Sequence, residues 1–138
     1  MFSIIIPTFN NLNYLKICID SIKKNSKYNH EIILHVNNGS DGTLDYVKKN
    51  GYKYTHTEEN LGLCSGVNLA AKEAKTDYIV YSHDDMYFCP DWDVVFKNEI
   101  EKIKGNLYLF SATMIEPASG HLQLDCGTDF STFDEKKL

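Results

Sequence analysis

The sequence predicts an α/β protein in three layers, α/β/α and Rossmann-like, with a mostly parallel sheet. Three observations predict this. Short apolar runs alternate with segments whose apolar residues recur at helical spacing. Two of these runs, "FSIII" and "EIILHV", are nearly continuous, as in strands covered on both faces. A polar, turn-forming cluster follows each of the first four: "PTFN", "NNGSDGT", "TEENLG" and "HDDM". Ligands of such sheets bind beyond the carboxyl ends of the strands, where strand order reverses. The shared edge therefore predicts a binding cleft.

Taken in order, "FSIII" (2–6) reads as the first strand, which Pro7 is expected to stop. Leu12, Leu15, Ile19 and Ile22 place a helix over Leu12–Lys23. "HEIILHV" (30–36) is a second strand, closed by the turn residues that follow. Asp41 is expected to cap a short helix carrying Leu44 and Val47, and Gly51 to end it. "YKYTHT" (52–57) alternates as a third strand does. Over 62–75, Leu63, Val67, Ala70, Ala71 and Ala74 share one helical face. "DYIVYS" (77–82) is the fourth strand. A helix over 91–104 follows, with Asp91 as its cap, and "NLYLFSATMI" (106–115) reads as a fifth strand.

The chain has 138 residues, enough for one domain with a single core. Its net charge of −5 argues against nucleic acid or an anionic membrane surface as partner. All 14 basic residues are lysine, so no guanidinium fork is available to clamp a phosphate. Cys18, Cys64, Cys89 and Cys126 form no metal or redox spacing, and read as free thiols in a reducing compartment. The opening "MFSIIIPTFN" lacks a charged leader, and no apolar run reaches membrane-span length. A cytoplasmic location without a transmembrane segment is the expectation.

Asp84 and Asp85 end the fourth strand side by side. Two adjacent carboxylates repel, and require a cation, a shared proton or open water. Successive strand side chains point opposite ways, so one acid can face sugar or ribose hydroxyls and the other a metal. Hard oxygen donors suit Mg²⁺ or Mn²⁺ bridged to ligand phosphates. A solvated acidic loop before the next helix is the competing reading. His83 reads as a hydrogen-bonded spacer, and Trp92 as packing.

The order of "SIIIPTFN", "EIILHVNNGSDGT" and "ENLGLCSGVNLAAKEAKTDYIVYSHDDMYFCPDWD" resembles the nucleotide-sugar-binding half of family-2 glycosyltransferases of GT-A fold. The likeness spans about residues 3 to 93. It implies a donor-binding subdomain over 1–112, with 113–138 as a short tail or the start of an acceptor side. Pro7, Thr8 and Phe9 would line the base pocket, Phe9 where an aromatic stacks on uracil. Asn37 and Asn38 replace the usual acids, Asn38 at the base-reading position, which loosens the expectation of uridine. Asn60, Gly62 and Asn68 match the donor loop, with Val67 where an arginine is common. Asp84 would bind the nucleotide sugar and Asp85 the metal, with Met86 where a third acid often stands.

The implied reaction is metal-dependent, inverting transfer from a nucleoside diphosphate sugar, most simply a UDP-sugar, to an acceptor hydroxyl. The acceptor, whether saccharide, lipid or protein, is left open, as is a homo-oligomer. The catalytic base is unassigned: Asp125, Asp129 and Asp134 are candidates, among the tail's only acids with Glu116 and Glu135. That gap leaves a natural short protein and an excerpt of a longer one both open. It also favours one alternative, a non-catalytic nucleotide-sugar-binding module. A nucleotidyltransferase would open with a glycine- and arginine-rich loop, and a receiver-like domain would carry its acid pair after the first strand. "SIIIPTFNNLNYLK" has neither.

Overall fold

The computed structural model describes residues 1–105, 107–109, 111–118 and 121–138. These form two compact units, Met1–Asp91 and Trp92–Leu138, a division earlier in the chain than the 112/113 boundary of the expected subdomain.

The first unit holds β1 (Ser3–Phe9), α1 (Leu12–Asn25), β2 (Glu31–Asn37), α2 (Thr43–Lys49), β3 (Lys53–Thr57), α3 (Gly62–Ala71) and β4 (Ile79–Tyr81). The four strands form one parallel sheet in the order β3-β2-β1-β4. Right-handed crossovers place α1 and α2 on one face and α3 on the other, because the chain reverses direction after β3. Contacts agree. Leu44 of α2 and Val36 both come close to Gly39, where an added Cβ would meet each of them, whereas Val67, Ala70, Ala71 and Ala74 pack on Ile5 and Ile33 of the opposite face. Ile4, Ile5, Ile6, Ile33, Leu34 and Val36 are fully buried. Each such side chain contributes about 1.5–3 kcal/mol relative to exposure.

Two glycines permit close approach. Gly39 has φ +80°, and a Cβ there would sit 2.7 Å from Val36. A Cβ on Gly66 would lie 2.7 Å from His35 Cδ2, so α3 rests almost directly on the His35 ring.

Pro7 does not stop β1, which continues through it to Phe9. The N–H of Ser3 and the C=O of Ile5 bond to the β4 side. Pro7 faces that same side, where β4 has already ended at Tyr81. The missing N–H therefore breaks no ladder bond. Asp41 acts from one residue farther out than a cap: its carboxylate accepts the N–H of Thr43 at 3.0 Å and that of Leu12 at 2.9 Å, tying α1 to α2.

The second unit holds α4 (Trp92–Lys102), the short parallel strands β5 (Ile115–Glu116) and β6 (Leu122–Gln123), and a 3₁₀ turn at Glu135–Lys137. The fifth strand expected over 106–115 is corrected. Positions 106 and 110 lie outside the described residues; 107–109 and 111–114 carry no strand, and only Ile115 enters one. Leu107 and Leu109 are 95% and 98% exposed. No helix among the described residues is long and apolar enough to cross a membrane.

Candidate nucleotide-sugar cleft

Strand order reverses between β1 and β4, and a cleft of about 350 Å³ opens beyond their carboxyl ends. The end of β1 contributes Pro7, Thr8 and Phe9, and the turn into α1 adds Asn10 and Asn11. Asn37 comes from the end of β2, Asn60 from the loop before α3, Gly62 and Leu63 from the start of α3, and His83 and Asp84 from the loop after β4. Of the expected donor-site residues, the cleft thus gathers Pro7, Thr8, Phe9, Asn60, Gly62 and Asp84. Asn38, Asn68 and Asp85 are not part of its lining. Asn68 and Asp85 are exposed. Asn38 stands at φ 60° in the adjoining turn and accepts from Asn10 Nδ2 at 3.3 Å.

Sequence reasoning placed Asn37 at the acid position of the motif without giving it a binding role, and did not single out Asn10, Asn11 or Leu63 as binding residues. Asn11 stands directly after "PTFN", where α1 begins, and that position was its only signal.

Phe9 is half exposed at the cleft, a flat apolar surface against which a ring can lie. Asp84 is half-buried and accepts Asn11 Nδ2 at 3.0 Å. Burial pushes its carboxyl above the usual carboxylate range; the neighbouring Thr8 hydroxyl and the Asn11 amide oppose this, while the Asp85 charge adds to it. Thr8 is 3% exposed, and its Oγ1 makes no geometric hydrogen bond among the described residues. The Asp84 carboxylate is the acceptor that this buried hydroxyl faces at the cleft wall. Apart from Asp84 and the titratable His83, the lining carries no ionisable side chain, and no lysine.

The oxygen donors that the lining offers an ion include the Asp84 carboxylate and the Thr8 hydroxyl; the Asp85 carboxylate is next to them in sequence but outside the lining. No group of three or more His, Cys, Asp or Glu side chains suited to a metal occurs among the described residues. An ion seated by one or two carboxylates takes its remaining ligands from phosphate and water, the habit of Mg²⁺ at nucleotides. The donor set fits that case.

In the second unit, each base candidate is engaged locally. Asp125 accepts the N–H of Gly127, and Asp134 that of Lys136. Asp129 accepts from the Ser131 hydroxyl and N–H and from the Thr132 N–H. Those Ser131 bonds hold its carboxyl below the usual range.

An uncharacterized glycosyltransferase of Rickettsia typhi is 42% identical over 92 residues; the match covers 62% of this chain but only 28% of that protein. The fold resembles S. aureus TarS solved with UDP, at TM-score 0.66 and 24% identity over 73% of this chain and 32% of that one. It also resembles a mannosyltransferase from Pyrobaculum calidifontis solved with GDP-Man and Mn²⁺, at TM-score 0.55 and 22% identity over 68% and 30%. Both likenesses establish the GT-A architecture. The family model described as "Glycosyl transferase family 2" matches residues 3–125, nearly the whole chain, and the protein belongs to that family.

Proposed function

We propose that this chain binds a nucleoside diphosphate sugar, a UDP-sugar by resemblance, together with Mn²⁺ or Mg²⁺. It would serve inverting transfer of the sugar to an acceptor hydroxyl. The observation that carries the reading is the cleft's composition: an exposed aromatic ring, an acid with a raised pKa, and no lysine in the lining. A diphosphate held there needs positive charge from elsewhere, and the Asp84–Asp85 pair is the place to seat it. Two proteins of the same architecture were solved with UDP, and with GDP-Man and Mn²⁺.

In this reading Phe9 stacks on the base and Thr8 offers its hydroxyl to the ligand beside Asp84. Asn11 fixes the Asp84 carboxylate, which faces sugar or ribose hydroxyls, while Asp85 is the direct metal ligand. Asn60, Gly62 and Asn68 belong to the donor loop, and residues 1–112 form the donor subdomain. When bound, the ion neutralises charge developing on the departing diphosphate. The acceptor oxygen bonds to the anomeric carbon as the carbon–phosphate-oxygen bond breaks, and the acceptor proton passes to a carboxylate base.

The second reading, a nucleotide-sugar-binding module completed elsewhere, is favoured by the Asp129 geometry. A carboxylate with a lowered pKa and several donors on one oxygen is a weak base. Titration of UDP and GDP with and without Mn²⁺, on wild type and Asp85→Ala, tests binding. Affinity should fall at least about tenfold without the ion or without Asp85, a loss of ~1.4 kcal/mol or more. Equal affinity in every condition removes the metal role. Sugar transfer by this chain alone would exclude the module reading.

A further inference from the structure

Asn37 is only 3% exposed, yet it lines the cleft and stands beside Phe9 in the parallel register. A ring lying on Phe9 would turn an edge towards it. Its Oδ1 accepts the Leu61 N–H at 2.9 Å and lies 3.3 Å from His35 Nε2 and 3.4 Å from Thr57 Oγ1. A backbone N–H can only donate, so the atom facing Leu61 is the oxygen; a flipped amide would set two donors against each other. The Thr57 hydroxyl has a better acceptor in the Glu59 C=O at 2.9 Å. With that proton committed, His35 Nε2 faces two acceptors and carries the ring proton, while Nδ1 accepts from Thr55 Oγ1 at 2.8 Å. The Asn37 oxygen is thus fully engaged inside the protein. Its NH₂ donates to nothing among the described residues, and it is the free end of the amide at the cleft wall.

Asn38 differs. Its Oδ1 accepts from Asn10 Nδ2 at 3.3 Å and from the Ser40 N–H at 3.0 Å, and its Nδ2 donates to the Glu58 C=O at 3.2 Å. Its oxygen and one of its two amide protons are engaged, and the side chain is not part of the cleft lining.

Resting on the nucleotide-binding reading above, we propose that Asn37, not Asn38, determines base specificity, that it reads only a hydrogen-bond acceptor, and that His35 is its positioning residue. A carbonyl oxygen or an unprotonated ring nitrogen satisfies the Asn37 NH₂. An imide N–H or an exocyclic amine presented there leaves two donors opposed, the kind of mismatch a buried polar site rejects.

The test exploits two matched swaps. UDP and CDP share one outline but exchange donor and acceptor at ring position 3 and at the group on position 4. Asn37→Asp makes the same exchange on the protein, and Leu61 and His35 can still donate to the new carboxylate. Calorimetric titration of both nucleotides with Mn²⁺ should show the UDP-to-CDP affinity ratio moving about tenfold or more between wild type and Asn37→Asp. A change below about threefold, within the worth of one neutral hydrogen bond, overturns the proposal.

Should thermal melts show Asn37→Asp unfolded, Asn37→Ala carries the test. It should weaken the better-bound nucleotide about fivefold, and an unchanged affinity overturns the assignment. For His35, the leucine variant should shift the ratio in the direction Asn37→Ala shifts it, and His35→Gln, which keeps an N–H, should restore it. Equal loss for both nucleotides in His35→Leu overturns the positioning role. If wild type binds neither nucleotide, both this proposal and the reading beneath it fall; binding with an unchanged ratio sinks this proposal alone.

Discussion

At the scale of single residues, Asp84 separates site chemistry from stability. Burial raises its folded-state pKa above the unfolded value of about 3.9. A raised carboxyl contributes stability that is full below that unfolded value and lost as pH rises through the folded one. Above that unfolded value the raised pKa therefore costs the metal-free protein stability. Asp84→Asn should raise the melting temperature at pH 7 in EDTA and leave it nearly unchanged near pH 3. It should also weaken nucleotide binding in Mn²⁺. A variant that melts earlier at pH 7 would contradict this account. The sequence made the acid pair conspicuous because two charges after an apolar run have no packing reason. Asn37 was harder to pick out, because asparagines before glycine fit any turn and only its partners reveal which end is free.

At the scale of elements, the strands and helices of the first unit were legible from their periodicity, whereas β1's passage through Pro7 was not. Proline harms a strand only if its missing N–H faces a partner, and that depends on where β4 ends. Of the run expected as a strand, 107–109 and 111–114 carry none and Ile115 enters one. Apolar composition supplies strand propensity, but a strand also needs a neighbour for its N–H and C=O groups. The contact between α3 and the sheet supports a prediction that opposes propensity. Glycine within a helix is about 1 kcal/mol worse than alanine, so Gly66→Ala on propensity alone would stabilise. The added Cβ, however, would lie 2.7 Å from His35 and 3.4 Å from Pro7. Overpacking of this kind costs about 1–3 kcal/mol. Denaturant unfolding should show net destabilisation; a gain in stability would mean α3 has room to move.

At the scale of the whole molecule, net charge and site chemistry combine. The chain is acidic overall and its cleft lining has no lysine, so an anionic ligand alone meets an unfavourable field. Among the described residues no group of three or more His, Cys, Asp or Glu is placed to hold a metal, so under the proposed function a divalent ion alone would be held weakly. Each supplies what the other lacks. Thermal melts should therefore move little with UDP or Mn²⁺ separately and rise when both are present. At a ligand concentration near 100 times Kd, the joint stabilisation should be about 2.7 kcal/mol. Equal shifts from UDP alone would show that charge neutralisation comes from elsewhere. Composition made the missing guanidinium legible from the start; the empty lining itself emerged only when the fold showed which loops converge.

The overhang of β1 past the end of β4 has a further consequence. A strand that outruns its neighbour leaves a length of open sheet edge, and open edges invite pairing with other molecules. Here the first position beyond the last β4 contact on that edge is a proline, which cannot donate to an incoming strand. Pro7 and Thr8 are also buried at this overhang, so both the missing donor and the burial disfavour an incoming strand there.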